Sequence, residues 1–257
     1  MKNNLMTHVV AGYPSMKNCE EIVMAMAKMG VAFIEIQIPF SDPIADGPTI
    51  MHANEQALLN GVTTEDCFKL IKRLKKEIDT PILIMTYFNI PFRYGLEKFC
   101  MKAQECQVYG LIIPDIPIDE EKYENYLGNC KKYGLHAIQI ISLITPEKRL
   151  KRISKVASGF VYCVSTFGTT GEREQLNPDL GSYIKKVKKY IKTPLALGFG
   201  ISSKDQVSMA LKYADIAVVG SKIINILNSS KKDTINELKI FLKNLIFCCT
   251  SFLIILV

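Results

Sequence analysis

The stretch "PLALGFGISSKDQVSMALKYADIAVVGS", residues 194–221, decides how the chain folds. It opens on a short apolar run, "PLALGFG" (194–200), and closes on another, "IAVVGS" (216–221). Between them "SSKDQVSMALKYA" (202–214) carries Ser203 with Gln206 three residues on, the capping-box pattern that starts a helix. The two flanking runs are continuously apolar rather than alternating, as suits strands covered on both faces. The unit therefore reads as strand, helix, strand in a parallel sheet.

The same unit recurs toward the N-terminus. Further candidate strands are "LMTHVVAG" (5–12), "AFIEIQIP" (32–39), "PILIMTY" (81–87), "GLIIPD" (110–115), "HAIQIIS" (136–142) and "FVYCVS" (160–165). Amphipathic segments separate them. "SMKNCEEIVMAMAKMG" (15–30) begins on a Ser cap and ends at Gly, and "TTEDCFKLIKRLKKEI" (63–78) opens on Thr and acids and finishes basic, as the helix dipole favours. Eight strands, each followed by a helix and with no linker between them, predict an α/β chain folded as a single (β/α)8 TIM barrel. A doubly wound open sheet is the runner-up. The barrel is assigned to residues 1–244, and 245–257, "LIFCCTSFLIILV", to an apolar tail of unknown role.

Bulk properties narrow the function. The chain is 48% hydrophobic and 22% charged with a formal net charge of +7. Its basic runs, "KRLKKE" (72–77) and "KKVKKY" (185–190), have the look of solvated helix faces, so no nucleic-acid partner is expected. Eight cysteines form no CxxC pair, which fits a reducing cytoplasm, and the three histidines, His8, His52 and His136, are scattered, so no metal set is expected. "MKNNLMTHVV" lacks the apolar run of a signal peptide, and the tail is shorter than the roughly 20 residues that span a bilayer. No membrane association is expected.

In a barrel of this kind, chemistry stands at the C-terminal ends of the strands. Glu35 interrupts the second strand, and Asp46 lies on the loop after it. Glu35 has two readings: an interior carboxylate satisfied by its neighbours, or a general acid–base, since burying a carboxylate is costly and suits it to that work. Asp46 reads as an Asp-Gly turn or as a second functional carboxylate. At the far end of the chain, "FGTTG" (167–171), "GFGIS" (198–202) and "VGS" (219–221) follow strands six, seven and eight, where backbone N–H groups and a helix N-terminus commonly hold a phosphate. Tyr87, Tyr162 and Phe199 at strand ends are core aromatics or the walls of an apolar pocket.

"IEIQIPFSDPIADGPTI" (34–50) resembles the signature of the tryptophan synthase alpha chain family, usually close to "LELGIPFSDPLADGPTI". The resemblance continues in order through "PILIMTYFNI", "GLIIPDIP", "TPEKR", "GFVYCVS", "GTTG", "LGFGIS" and "VVGS", over residues 5 to about 228. It implies a lyase that splits indole-3-glycerol phosphate by a retro-aldol reaction into indole and glyceraldehyde 3-phosphate. It carries the proton donor for C3 of the indole ring onto Glu35, and the carboxylate that meets the ring N–H onto Asp46. Tyr162, Tyr87, Ile112, Ile140 and Phe199 match the substrate pocket. Gly171, Gly200, Gly220 and Ser221 match the phosphate site, and Thr170 the mobile loop after strand six. The family works in an αββα heterotetramer with a beta chain, which faces the segment around 39–42 and alone carries pyridoxal phosphate. No cofactor is implied for this chain.

Four departures stand out. Gln37 replaces the family's usual Gly, His8 a usual Phe and Val10 a frequent Thr, and Thr166 and Phe167 remove a basic residue from the mobile loop. The helix expected before the first strand is almost absent. These departures leave room for an alternative: a catalytically weak or inactive alpha-like subunit that activates the beta chain.

Overall fold

The computed structural model describes residues 4–164, 180–198, 200–229 and 233–251. Along the first half, β1 (Leu5–Val10), α1 (Met16–Lys28) and β2 (Phe33–Gln37) lead to α2 (Pro48–Leu59), α3 (Thr64–Glu77) and β3 (Ile82–Met85). Then come α4 (Asn89–Tyr94), α5 (Leu96–Glu105), β4 (Gly110–Ile112), α6 (Glu121–Glu124), α7 (Tyr126–Lys132) and β5 (His136–Ser142). The chain ends through α8 (Glu147–Val156), β6 (Val161–Val164), α9 (Leu180–Tyr190), β7 (Leu195–Gly198), α10 (Lys204–Tyr213), β8 (Ile216–Val219), α11 (Ser221–Ser229) and α12 (Thr234–Ser251).

All eight strands run parallel, and the pairing of β8 with β1 closes the sheet into a barrel in chain order. The (β/α)8 expectation therefore holds, and the open sheet is excluded. The caps read from sequence form as expected. Ser15 accepts the N–H of Asn18, Thr63 and Asp66 make a reciprocal capping box at α3, and Ser203 and Gln206 make another at α10. Each satisfies N–H groups that the first helical turn leaves without partners.

Strand pleating sends alternate residues to opposite faces and creates two apolar regions. Leu5, Ile34, Ile36, Ile82, Ile84, Leu111 and Leu197 point outward into a continuous shell between sheet and helices. Met6, Leu83, Met85, Ile112, Ile138, Phe160, Ala196, Ile216 and Val218 fill the barrel interior, with Phe33 packed against them. Interior side chains lie beside one another on neighbouring strands, as in Met6↔Phe33, Met85↔Ile112 and Ala196↔Ile216. Among the described residues the barrel is a packed core with a polar layer of His8, Glu35 and Gln37 toward one end. The assigned tail begins inside α12, which runs on to Ser251 with Leu245 buried, and residues 252–257 lie outside the described residues. Among the described residues no helix is long and apolar enough to cross a membrane.

Candidate active site

The alternation that buries Ile34 and Ile36 against the helices turns Phe33, Glu35 and Gln37 into the barrel. The β1–β2 register sets His8 directly beside Glu35 and Val10 beside Gln37. Glu35 is 4% exposed and shares a 2.9 Å hydrogen bond, its Oε1 to His8 Nδ1, with an imidazole that is equally buried. Among the described residues the Glu35 carboxylate is therefore partnered through Oε1 alone.

Gln37 reaches the second carboxylate. Its Nε2 donates to Asp46 Oδ2 at 2.7 Å and to Asn54 Oδ1 at 3.3 Å. Asn54 Oδ1 also accepts the N–H of Phe40 at 3.0 Å, while its Nδ2 donates to the Ile50 carbonyl at 2.9 Å. One side chain on α2 thus fastens the start of the loop that carries Asp46. The loop's other end is held by Tyr87, whose hydroxyl accepts the N–H of Ala45 at 3.1 Å and whose ring stacks on Phe40 with centroids 5.3 Å apart. The next residue along, Phe88, donates its N–H to both oxygens of Asp115 at 2.8 and 3.0 Å, tying the loop after β3 to the loop after β4.

Burial sets the electrostatics. Desolvation pushes the Asp46 carboxyl above the usual carboxylate range, against the opposing pull of the Gln37 amide and of His8. Burial pulls the His8 imidazole down, but attraction to Glu35 and the hydrogen bond between them outweigh it, and the net shift is upward. The phenol of Tyr162 is pushed well up by burial and by the two carboxylates, and that of Tyr87 by burial and Asp46.

Three buried polar atoms in this cluster have no hydrogen-bond partner among the described residues: Glu35 Oε2, His8 Nε2 and Gln37 Oε1. An orphaned buried polar atom costs about 1–3 kcal/mol, so their concentration in one layer marks a place that a polar ligand would complete. Apolar walls surround it. Tyr87, Ile112, Ile140 and Tyr162 belong to the interior cluster, and Gly198 makes room for Tyr162, since a Cβ there would lie 2.6 Å from the ring's Cε1. On the β8 side, a Cβ at Gly220 would lie 3.4 Å from that of His8, and Ser221, buried, opens α11. Gly200 has φ +67°, the left-handed region open to glycine.

Of the residues singled out from sequence, the structure gathers Glu35, Asp46, Tyr87, Ile112, Ile140 and Tyr162 around one end of the barrel interior, with Gly220 adjoining through His8. Thr166, Phe167, Thr170, Gly171 and Phe199 lie outside the described residues. Sequence reasoning missed Asn54. The one signal for it is an Asn four residues after Ile50 on a helix whose Ile50, Ala53 and Ala57 are buried. No group of His, Cys, Asp and Glu able to hold a metal occurs among the described residues. A surface recess of about 480 Å³ between α1 and α12, lined in part by Lys17, Glu20, Met24 and Ile235, includes no member of the constellation.

The model of the family described as tryptophan synthase alpha chain matches residues 1–247. A tryptophan synthase alpha chain from Petrotoga mobilis is 41% identical over 244 residues, 94% of each chain, and one from Syntrophotalea carbinolica is 41% identical over 87% of this chain and 88% of its own. Among solved structures, tryptophan synthase of Mycobacterium tuberculosis superposes with a TM-score of 0.88 at 29% identity, covering 96% of this chain and 93% of that one. A mutant alpha-subunit from Pyrococcus furiosus superposes at 0.86 with 30% identity, covering 95% and 99%.

Proposed function

The chain belongs to the tryptophan synthase alpha chain family, and from that premise we propose that it is a carbon–carbon lyase cleaving indole-3-glycerol phosphate to indole and glyceraldehyde 3-phosphate. The observation that carries the reading is the pair of buried carboxylates, Glu35 and Asp46, set at one end of an apolar barrel interior, Glu35 held by His8 and Asp46 by the Gln37 amide. Glu35 delivers a proton to C3 of the indole ring. Asp46 meets the ring N–H and stabilises the positive charge that protonation creates, a charge worth far more in a water-poor site than in water. As the carbon–carbon bond breaks, its electron pair returns to the ring, and the adjacent hydroxyl gives up its proton as it becomes the aldehyde.

Tyr87, Ile112, Ile140, Tyr162 and Phe199 are assigned to the indole, and Gly171, Gly200, Gly220 and Ser221 to the phosphate, which the positive end of the α11 helix dipole favours. Thr170 is assigned to the loop that closes over them. The chain's partner is assigned as a beta chain in an αββα assembly in the cytoplasm, with pyridoxal phosphate in that partner and no cofactor here. Indole release, measured with and without a beta chain, tests the reading. Glu35→Gln lowers turnover by roughly 10²–10⁴-fold with little change in substrate affinity. Equal release by the variant, or none by the wild type, refutes it.

A further inference from the structure

His8 is the side chain of this site that the proposed reaction does not use. It is buried, lies in register with Glu35 on the neighbouring strand, and touches one oxygen of it at 2.9 Å. The backbone of Gly220, the residue after β8, closes its other side, so the ring is confined between β2 and the end of β8. We propose that His8 is a positioning residue that shares one proton with Glu35 and holds the carboxyl in place through Oε1. The inference rests on the lyase reading for its consequence and on the pair's geometry for its content.

The charges around the imidazole favour this. Glu35 faces it from β2, Asp46 from the loop after β2, and the phenol of Tyr162 on β6 lies near both carboxylates, while the neutral Gln37 amide donates to Asp46. Two carboxylates in a buried site repel each other, and His8 is the cation able to compensate them. The state with Glu35 ionised and His8 charged carries the same net charge as the state with Glu35 protonated and His8 neutral. The proton therefore passes between heavy atoms 2.9 Å apart with no net charge entering or leaving the core. The upward shift of His8 accords with such a pair.

The proton count closes. Glu35 in its protonated form gives its proton to C3, leaving a carboxylate beside neutral His8. Cleavage of the carbon–carbon bond then releases the hydroxyl proton, which returns to Glu35 and restores the shared proton. One C–H bond and one C=O bond form, one C–C and one O–H bond break, and no proton is consumed.

Two measurements on the full chain with a beta partner decide the matter. The first is the pH profile of kcat and KM for indole release in the wild type, His8→Phe and His8→Asn. The expected result is a tenfold or greater fall in kcat for His8→Phe at neutral pH, an alkaline limb displaced downward by a unit or more, and an unchanged KM. His8→Asn, which can still donate to Glu35, restores kcat at low pH but not the alkaline limb. The second is the imidazole titration followed by NMR, with the signal assigned by its loss in His8→Phe: His8 titrates above 6.5 in the wild type and falls in Glu35→Gln. Superimposable kcat profiles, or a His8 titration indifferent to Glu35→Gln, overturn the proposal. A wild type that releases no indole at any pH overturns the lyase reading instead, and the NMR titration still decides the shared proton.

Discussion

Replacing Gly198 by Ala separates the site's geometry from the barrel's stability. Gly198 ends β7 with ordinary backbone geometry, so an added methyl meets no backbone strain. It meets Tyr162: the new Cβ would lie 2.6 Å from Cε1, 2.8 Å from the hydroxyl oxygen and 3.0 Å from Cζ. Carbon atoms pack at about 3.5–4.0 Å, so the ring has to withdraw by roughly 1 Å. Because its far end gives way rather than the strand, the stability cost falls at the lower end of the ~1–3 kcal/mol typical of overpacking. That corresponds to about 2–4 °C in Tm for a chain of this size. The functional cost is larger, since a 1 Å misplacement at a reacting centre removes about 10²-fold in rate. Thermal unfolding and indole release, measured on the same preparation, should therefore diverge: a slightly lowered Tm and a turnover reduced about a hundredfold. Wild-type turnover in Gly198→Ala would show that the ring has room to spare. A loss of activity explained wholly by unfolded protein would show that the methyl disturbs the strand and not the pocket.

Three further outcomes are expected. Gly110→Ala brings a Cβ to 2.5 Å from the His136 carbonyl oxygen, a backbone atom of the paired strand, so it cannot be relieved by a rotamer and should cost at least as much as the ~1–3 kcal/mol of ordinary overpacking, read as a lowered urea midpoint. Asn54→Ala leaves the Phe40 N–H without its acceptor and releases the Asp46 loop; about 1–3 kcal/mol of stability should go, and a urea midpoint equal to that of the wild type would contradict the pinning role. The pH dependence of unfolding has a definite sign. With its folded pKa raised above 6.5, His8 contributes stability that is fully present below pH 6.5 and lost as pH rises through the folded value. The stability advantage of the wild type over His8→Phe should shrink as pH rises above 6.5, and a growing advantage would reverse the assignment.

How much of this was legible in the sequence differs from element to element. The run 81–87 reads as one strand, but the ladder ends at Met85, with Tyr87 still fully buried beyond it. Likewise 110–115 reads as strand, yet pairing stops at Ile112 while Ile113 stays buried. Apolarity reports burial, and at the mouth of a barrel burial outlasts hydrogen bonding. Glu35 announced itself because a carboxylate inside an apolar run has few structural uses. Its partner did not: that His8 meets Glu35 depends on the β1–β2 register, which no local pattern encodes. Asn54 was silent for a related reason. On a helix it reads as one more polar residue, and only the folding back of the loop over α2 makes it a buried acceptor shared by Gln37 and Phe40.

The hydrogen bonds of Asp115 and Tyr87 have a mechanical consequence. Asp115 pins Phe88, its neighbour Tyr87 pins Ala45, and Ala45 adjoins Asp46, so the loops after β4, β3 and β2 form a linkage of short rigid members joined at two pins. A push on the first member is delivered at the last as a displacement, without passing through the barrel wall. The linkage also settles when disorder is given up: these three loops lose their freedom on folding, so an arriving molecule finds that rim already set and spends less of its binding energy on arranging it.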